Sequence, residues 1–136
     1  MSVIAEIGTT NYAVAIDAAG HHLMSDEPTA RGGGNLGPSP YDLLLSALAA
    51  CTGITLRMYA TRKQWDLKAV KVGARLIQRG SGEREIERTI GLVGTLDEAQ
   101  RARLVEIAER TPVTLTIKHG MAIATRLTEA ETPQGA

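Results

Sequence analysis

Gly37-Pro38-Ser39-Pro40-Tyr41-Asp42-Leu43-Leu44-Leu45-Ser46-Ala47-Leu48-Ala49-Ala50-Cys51-Thr52 is the stretch on which the fold turns. Ser39 is placed to cap a helix, Pro40 suits its first position, and Asp42 completes a Ser-x-x-Asp capping pattern. The body that follows is apolar on nearly every face, which predicts a helix buried all round and not one lying amphipathic at a surface. Its longest apolar run, Leu43–Leu56, is 14 residues and contains Ser46, Thr52, Gly53 and Thr55. A membrane span needs about 20 predominantly apolar residues, so the run reads as a core helix. Arg57, Arg62 and Lys63 then restore polarity and suit a helix C-terminus. Gln64-Trp65-Asp66 ends it.

Upstream, Val3–Gly8 and Tyr12–Asp17 alternate around Thr9-Thr10-Asn11 as a hairpin, and Ala18-Ala19-Gly20 turns into a third strand, His21–Ser25. From Asp26 to Pro40 the periodicity stops, in a loop of about fifteen residues with Gly32-Gly33-Gly34 at its middle; loops of that length inside a compact domain are often functional. Downstream, Val70–Gln78 and Ile86–Val93 pair around Gly80-Ser81-Gly82. Arg75, Arg79, Arg84, Glu85, Glu87 and Arg88 flank the pair as solvated charges. Thr95-Leu96-Asp97-Glu98 opens a second helix, to about Arg110, with Leu104, Ile107 and Ala108 as its apolar stripe. The stretch 112–118 fits either a strand or a short helical turn. Met121–Leu127 reads as a final strand, and 128–136 as a frayed polar tail. The order ββ(β)–α–ββ–α–β, with neither repeat nor linker, predicts one α+β domain over 1–136.

Composition narrows the function. The chain has 136 residues, 43% of them hydrophobic and 22% charged, as in ordinary globular proteins, with fifteen basic residues balancing fifteen acidic ones. That balance leaves no basic footprint for nucleic acid. One Trp, three Tyr and no Phe leave no stacking platform for bases. A single cysteine, Cys51, excludes an intrachain disulfide and any multi-cysteine metal site. The start Met1–Gly8 has no basic segment followed by an apolar core, so the expected home is the cytoplasm, with no membrane partner.

Cys51 is the residue with most chemistry to offer. Buried in an apolar helix it would be an inert small hydrophobe; a reactive thiol needs some exposure and a cation brought in by another segment or subunit. Its own helix dipole fades within the first turn and helps little. Metal is not expected, because His21 and His22 face opposite sides of a strand and no ligand cluster joins them or His119. Gly32-Gly33-Gly34 lacks the Gly-Lys-Ser/Thr end of a phosphate loop and reads as a flexible segment. No cofactor is expected.

The Pro38-Ser39-Pro40 to Cys51-Thr52 helix closely resembles the OsmC/Ohr family, the osmotically inducible protein C and organic hydroperoxide resistance proteins. The resemblance runs on through Leu56-Arg57-Met58-Tyr59-Ala60, Arg62-Lys63 and Trp65. It resumes at Leu96–Leu104 and Ile107-Ala108-Glu109-Arg110, and covers roughly residues 20–127. It implies a two-layer α+β fold forming an intertwined homodimer, with the central helix buried at the subunit interface. In active members a cysteine on that helix attacks a peroxide and becomes a sulfenic acid. A second cysteine then closes a disulfide, which a dithiol partner reduces. An Arg and a Glu beside the first cysteine favour the thiolate and orient the peroxide.

Cys51 matches the peroxide-attacking position, but the rest of the family's site departs. The second cysteine stands before Pro-Val in the family, and this chain has Thr111 before Pro112-Val113. The family's Glu, ten residues before the first cysteine, is replaced by Tyr41; Asp42 is one position off, about 100° around a helix. No Arg precedes Arg31, which makes Arg31 the candidate for the family's N-terminal arginine. Two functions stay open. One is a one-cysteine hydroperoxide reductase in oxidative stress defence, rescued by an external thiol or dithiol. The other is a non-catalytic member that binds a small apolar ligand at the dimer interface.

Overall fold

A computed structural model describes residues 1–129. Contacts divide it into two compact units, one of Met1–Leu43 with the residues from Ala124 on, the other of Leu44–Ile123.

In the first unit, β1 (Val3–Ile7), β2 (Val14–Ala18) and β3 (His21–Ser25) form an antiparallel meander in the order β1-β2-β3. The register pairs Ile4 with Asp17 and Asp17 with His22, so His22 shares a face with that carboxylate while His21 lies on the other. The long loop after β3 is built around a buried carboxylate. Asp26, 2% exposed, accepts hydrogen bonds from the backbone amides of Tyr12, Glu27, Gly34 and Leu36 at 2.7–3.2 Å. Burial by itself would raise its pKa, but the four amide donors outweigh it and hold the carboxyl below its ordinary value. The glycine run is therefore packed, not a loose tether. A Cβ on Gly33 would stand 2.0 Å from the Glu27 carbonyl oxygen, and one on Gly37 2.2 Å from that of Met24. The Pro38 carbonyl accepts from both the Asp26 amide and the Ser25 hydroxyl, which fixes the chain just before the central helix begins.

That helix, α1 (Pro40–Lys63), starts as its sequence predicts: the Ser39 amide donates to Asp42 Oδ2 at 2.9 Å and the Asp42 amide to Ser39 Oγ at 3.2 Å. It ends where Gln64 turns left-handed, at φ 59°, and Trp65 packs edge-on against Tyr59 with ring centroids 5.5 Å apart. By length and composition α1 is apolar enough to cross a membrane. Its stripe Leu48, Thr52, Leu56 and Ala60 is nevertheless buried in this protein's own core. All-round burial is not reached within one chain, since Leu44, Ile54 and Met58 are 41%, 56% and 61% exposed.

In the second unit α1 packs on a long antiparallel hairpin, β4 (Asp66–Gln78) with β5 (Arg84–Thr95), and on α2 (Glu98–Ala108). Leu56, Leu104 and Ala108 are fully buried, with Tyr59, Trp65, Val70, Ile90, Leu92, Leu96 and Ile107 around them. Two sequence expectations are corrected here, and one left open is resolved. The capping box of α2 is Asp97 with Gln100, not one opened by Thr95, because Asp97 keeps extended backbone and its side chain takes the Gln100 amide. The ambiguous stretch is a helix, α3 (Pro112–His119): Pro112 presets its first turn and Thr111 caps it from outside. Met121–Leu127 is not a strand, because no ladder partner meets it among the described residues. Its Met121, Ile123 and Leu127 are 75%, 89% and 99% exposed. The frayed tail expected over 128–136 lies, beyond Glu129, outside the described residues.

Candidate functional site

Cys51 is a free, half-buried thiol on α1, at the flank of the buried stripe. The apolar positions beside it, Leu44, Ala47, Ile54 and Met58, are exposed. With Cys51 they recur at alternating spacings of three and four, which places all five on one side of the helix. The thiol therefore stands in the middle of an uncovered apolar seam.

Under the next residue lies a polar cluster that sequence reasoning missed. On β5, Glu85, Glu87 and Thr89 face outward while Ile86, Ile90 and Leu92 face the core, and strict alternation puts Arg88 on the inward face. Its side chain is only 11% exposed. Arg88 Nη1 donates to Thr52 Oγ1 at 3.0 Å and to Thr114 Oγ1 at 2.9 Å. Thr111 Oγ1 lies 2.6 Å from Thr114 Oγ1. The expectation of a solvated charge thus holds for Arg75 and Arg79, which pair with Glu87 and Glu85, and fails for Arg88. Period-two patterning is the signal that would have found it.

The Thr52 hydroxyl donates to the Leu48 carbonyl at 2.7 Å, and the Thr114 hydroxyl to the Ala108 carbonyl at 3.2 Å. Between Thr111 and Thr114 either hydroxyl can be the donor, and both Arg88 bonds fall on acceptor lone pairs. Thr52 and Thr111 are fully buried and Thr114 is 4% exposed. At the outer edge Glu109 bridges Arg88 Nη2, at 3.3 Å, and Lys118 Nζ, at 2.7 Å. The Lys118 contact is the main reason the Glu109 carboxyl sits below its ordinary pKa.

Of the residues expected from sequence, Cys51 and Thr111 lie in the second unit, and Thr111 is joined by three consecutive hydrogen bonds to Thr52, the chain neighbour of Cys51. The other three belong to the first unit. Asp42 is engaged in the α1 cap, where the Ser39 hydroxyl and amide hold its carboxyl below the ordinary value. Arg31 ends a short 3-10 turn and is exposed. Tyr41 is 49% exposed. Among the described residues no group of three or more His, Cys, Asp or Glu side chains is placed to hold a metal ion. A shallow groove of about 700 Å³ crosses the β1–β3 sheet, lined by Ile4, Glu6, Asp17, His22 and Met24, and contains none of the expected site residues.

The family model described as OsmC-like protein matches residues 32–126. Among curated proteins none matches. Solved structures share the fold. An OsmC-like protein from Mycoplasma pneumoniae aligns with a TM-score of 0.74 at 17% identity, over 88% of this chain and 87% of its own. The organic hydroperoxide resistance protein OhrB of Bacillus subtilis aligns at 0.59 and 22% identity, over 88% and 90%. An organic hydroperoxide resistance protein from Legionella pneumophila aligns at 0.60 and 20%, with the same coverage. At these identities the likeness establishes the architecture, an α+β fold with antiparallel strands and a long central helix.

Proposed function

The chain belongs to the OsmC-like protein family, and from that premise we propose that it reduces organic hydroperoxides through Cys51 alone, in defence against oxidative stress. The Cys51 thiolate attacks the distal peroxide oxygen. An S–O bond forms as the O–O bond breaks, the sulfur is oxidised to sulfenic acid, and the peroxide leaves as an alcohol after taking a proton. With no second cysteine, an external thiol condenses with the sulfenic acid and releases water. A second equivalent of thiol, or the other arm of a dithiol, then frees Cys51 as the reductant's disulfide forms. The chemistry calls for no metal or cofactor. The observation that carries this reading is the half-exposed Cys51 at the centre of an apolar seam, where an alkyl hydroperoxide would find both a nucleophile and a dry surface.

The same reading takes 1–136 as one OsmC-like domain working as a homodimer in the cytoplasm. Apolar side chains left open along α1 need a cover, and a second copy supplies one of matching chemistry. Met121–Leu127 is the natural element to exchange, since it alternates as a strand and meets no ladder partner among the described residues. Nothing in the charge balance invites nucleic acid. The direct test exposes the reduced protein to stoichiometric cumene hydroperoxide with a sulfenic-acid trap and mass spectrometry. Oxidation of Cys51 far faster than that of a free thiol is expected, and a rate no faster would overturn the proposal.

A second reading keeps the site and drops the chemistry. Thr111 and Tyr41 stand where the family carries a cysteine and a glutamate, and the apolar seam also suits a small apolar ligand. Calorimetry with such ligands separates the two, provided Cys51→Ser is measured alongside: binding that survives the substitution, without peroxide turnover in the parent, favours this alternative.

A further inference from the structure

The inward guanidinium of Arg88 is unusual for what it does not do. A donor only, it offers no acceptor to the Thr52 and Thr114 hydroxyls, which already donate to backbone carbonyls, and its own protons fall on their lone pairs. It stands on the strand face that Ile86, Ile90 and Leu92 share, where an apolar side chain would pack. Its one carboxylate partner, Glu109, is 56% exposed and approaches a single nitrogen at 3.3 Å. Replacing a whole buried ion pair by hydrophobes of similar volume is commonly neutral or stabilising, so the burial of this charge is not by itself a sign of a stabilising role. Stability alone is therefore weak ground for a buried guanidinium at this position.

What the guanidinium does accomplish is to tie two elements at one point. A single nitrogen, Nη1, holds Thr52 on α1 and Thr114 in the first turn of α3. Thr52 follows Cys51 directly, so the bond fixes the rotation of the helical turn that carries the thiol. We infer that Arg88 is a positioning residue for Cys51, acting through Thr52 to hold that turn in the orientation from which the sulfur meets a hydroperoxide. The inference rests on the hydroperoxide reading above. It differs from a general effect on the thiol, because a small alkylating agent needs only an accessible sulfur whereas an oriented attack on an O–O bond is sensitive to displacements of an ångström.

The test compares the full chain with Arg88→Met, Arg88→Lys, Thr52→Val and the Arg88→Met/Thr52→Val double variant. Each is followed for Cys51 oxidation by cumene hydroperoxide and for alkylation by iodoacetamide at the same pH, with circular dichroism as the check on folding. Arg88→Met and Thr52→Val should each slow oxidation by roughly ten- to hundredfold, with alkylation changed less than about twofold. The double variant should be no slower than the slower single one, because both substitutions break the same link. Arg88→Lys should recover part of the rate, since an ammonium can keep one hydroxyl contact but not the planar bridge to two. If Arg88→Met does not fold, Thr52→Val and Arg88→Lys decide the matter. Oxidation and alkylation falling together, multiplicative effects in the double variant, or unchanged oxidation in folded variants overturns the inference while leaving the peroxide chemistry standing. A parent protein oxidised no faster than a free thiol overturns the peroxide reading itself, and the inference with it.

Discussion

Substituting Thr111→Cys places a second thiol at the position that the sequence resemblance leads one to expect for the family's resolving cysteine, and its consequences can be worked out from the structure. Thr111 is fully buried, with its hydroxyl 2.6 Å from Thr114 Oγ1. The substitution removes a buried methyl, worth about 1 kcal/mol by analogy with Ile→Val, and exchanges a neutral hydrogen bond of about 1 kcal/mol net for a weak S–H donor. The reduced variant should therefore be about 2 kcal/mol less stable than the parent. Oxidation to a disulfide with Cys51 would close a loop of about 60 residues, which restricts the unfolded chain by about 4 kcal/mol if the bridge is unstrained. Taking a urea slope near 2 kcal/mol per molar, the midpoint should rise by about 2 M from reduced to oxidised variant. The new sulfur would also stand at the N-cap of α3, within the cluster of the Arg88 guanidinium, where a thiolate is favoured. Stoichiometric hydroperoxide, non-reducing gels, peptide mapping and urea titration together read the result. A variant that over-oxidises at Cys51 with no link to the introduced thiol, and with no rise in midpoint, would show that position 111 is out of reach and that its match to the resolving position is wrong.

Leu104→Ala removes the most enclosed side chain of α2, fully buried beside Leu56 and Ala108, and should cost about 2–5 kcal/mol in urea titration; a loss below about 1 kcal/mol would contradict the assigned core. Asp26 has a folded-state pKa below its unfolded one, so its contribution is whole above the unfolded value, near about 4, and is lost as pH falls through the folded value. Asp26→Asn should therefore unfold more easily than the parent at pH 7 and converge with it below about pH 4, and parallel urea midpoints through that window would refute the role given to the carboxylate. Met58→Glu places a charge on the uncovered seam of α1, so sedimentation velocity should show a shift toward monomer that Arg57→Glu, exposed on the same helix but off the seam, does not produce. A dimer unaffected by Met58→Glu would place the interface elsewhere.

The elements that local chemistry dictates are legible in the sequence. The Ser39–Asp42 box, the left turn after Lys63 and the alternation of the two hairpins each depend on residues within a few positions of one another, and each stands where the pattern puts it. The misreadings share a cause of a different kind. Asp97 takes the cap of α2 from Thr95 because two candidate caps lie within three residues, and only the backbone path chooses between them. Asp26 gives no local sign of its role, since its four amide donors come from as far away as Tyr12 and Leu36. Met121–Leu127 carries the alternation of a strand, but alternation specifies only a face, and a ladder needs a neighbour that is not found among the described residues.

Arg88 is the instructive case, because its place is legible and its charge obscures it. Read by composition it joins Arg75, Arg79, Arg84, Glu85 and Glu87 as one more hydrophilic residue in a charged hairpin. Read by position it falls between Ile86 and Ile90 on the face that must be buried, and the strand offers no third direction. Composition and position can agree only if the guanidinium finds polar partners inside, and the partners it finds are Thr52, one residue beyond the thiol, and Thr114, one turn from the residue that replaces the resolving cysteine. Arg31 is the candidate for the family's N-terminal arginine only on the assumption that the cation comes from where relatives keep it. Periodicity places a further cation, Arg88, inside the hairpin, bonded to Thr52 on α1. The inward phase of β5 also holds Arg84, exposed at the start of the strand, so it is phase together with a mid-strand place between Ile86 and Ile90 that marks Arg88 as buried.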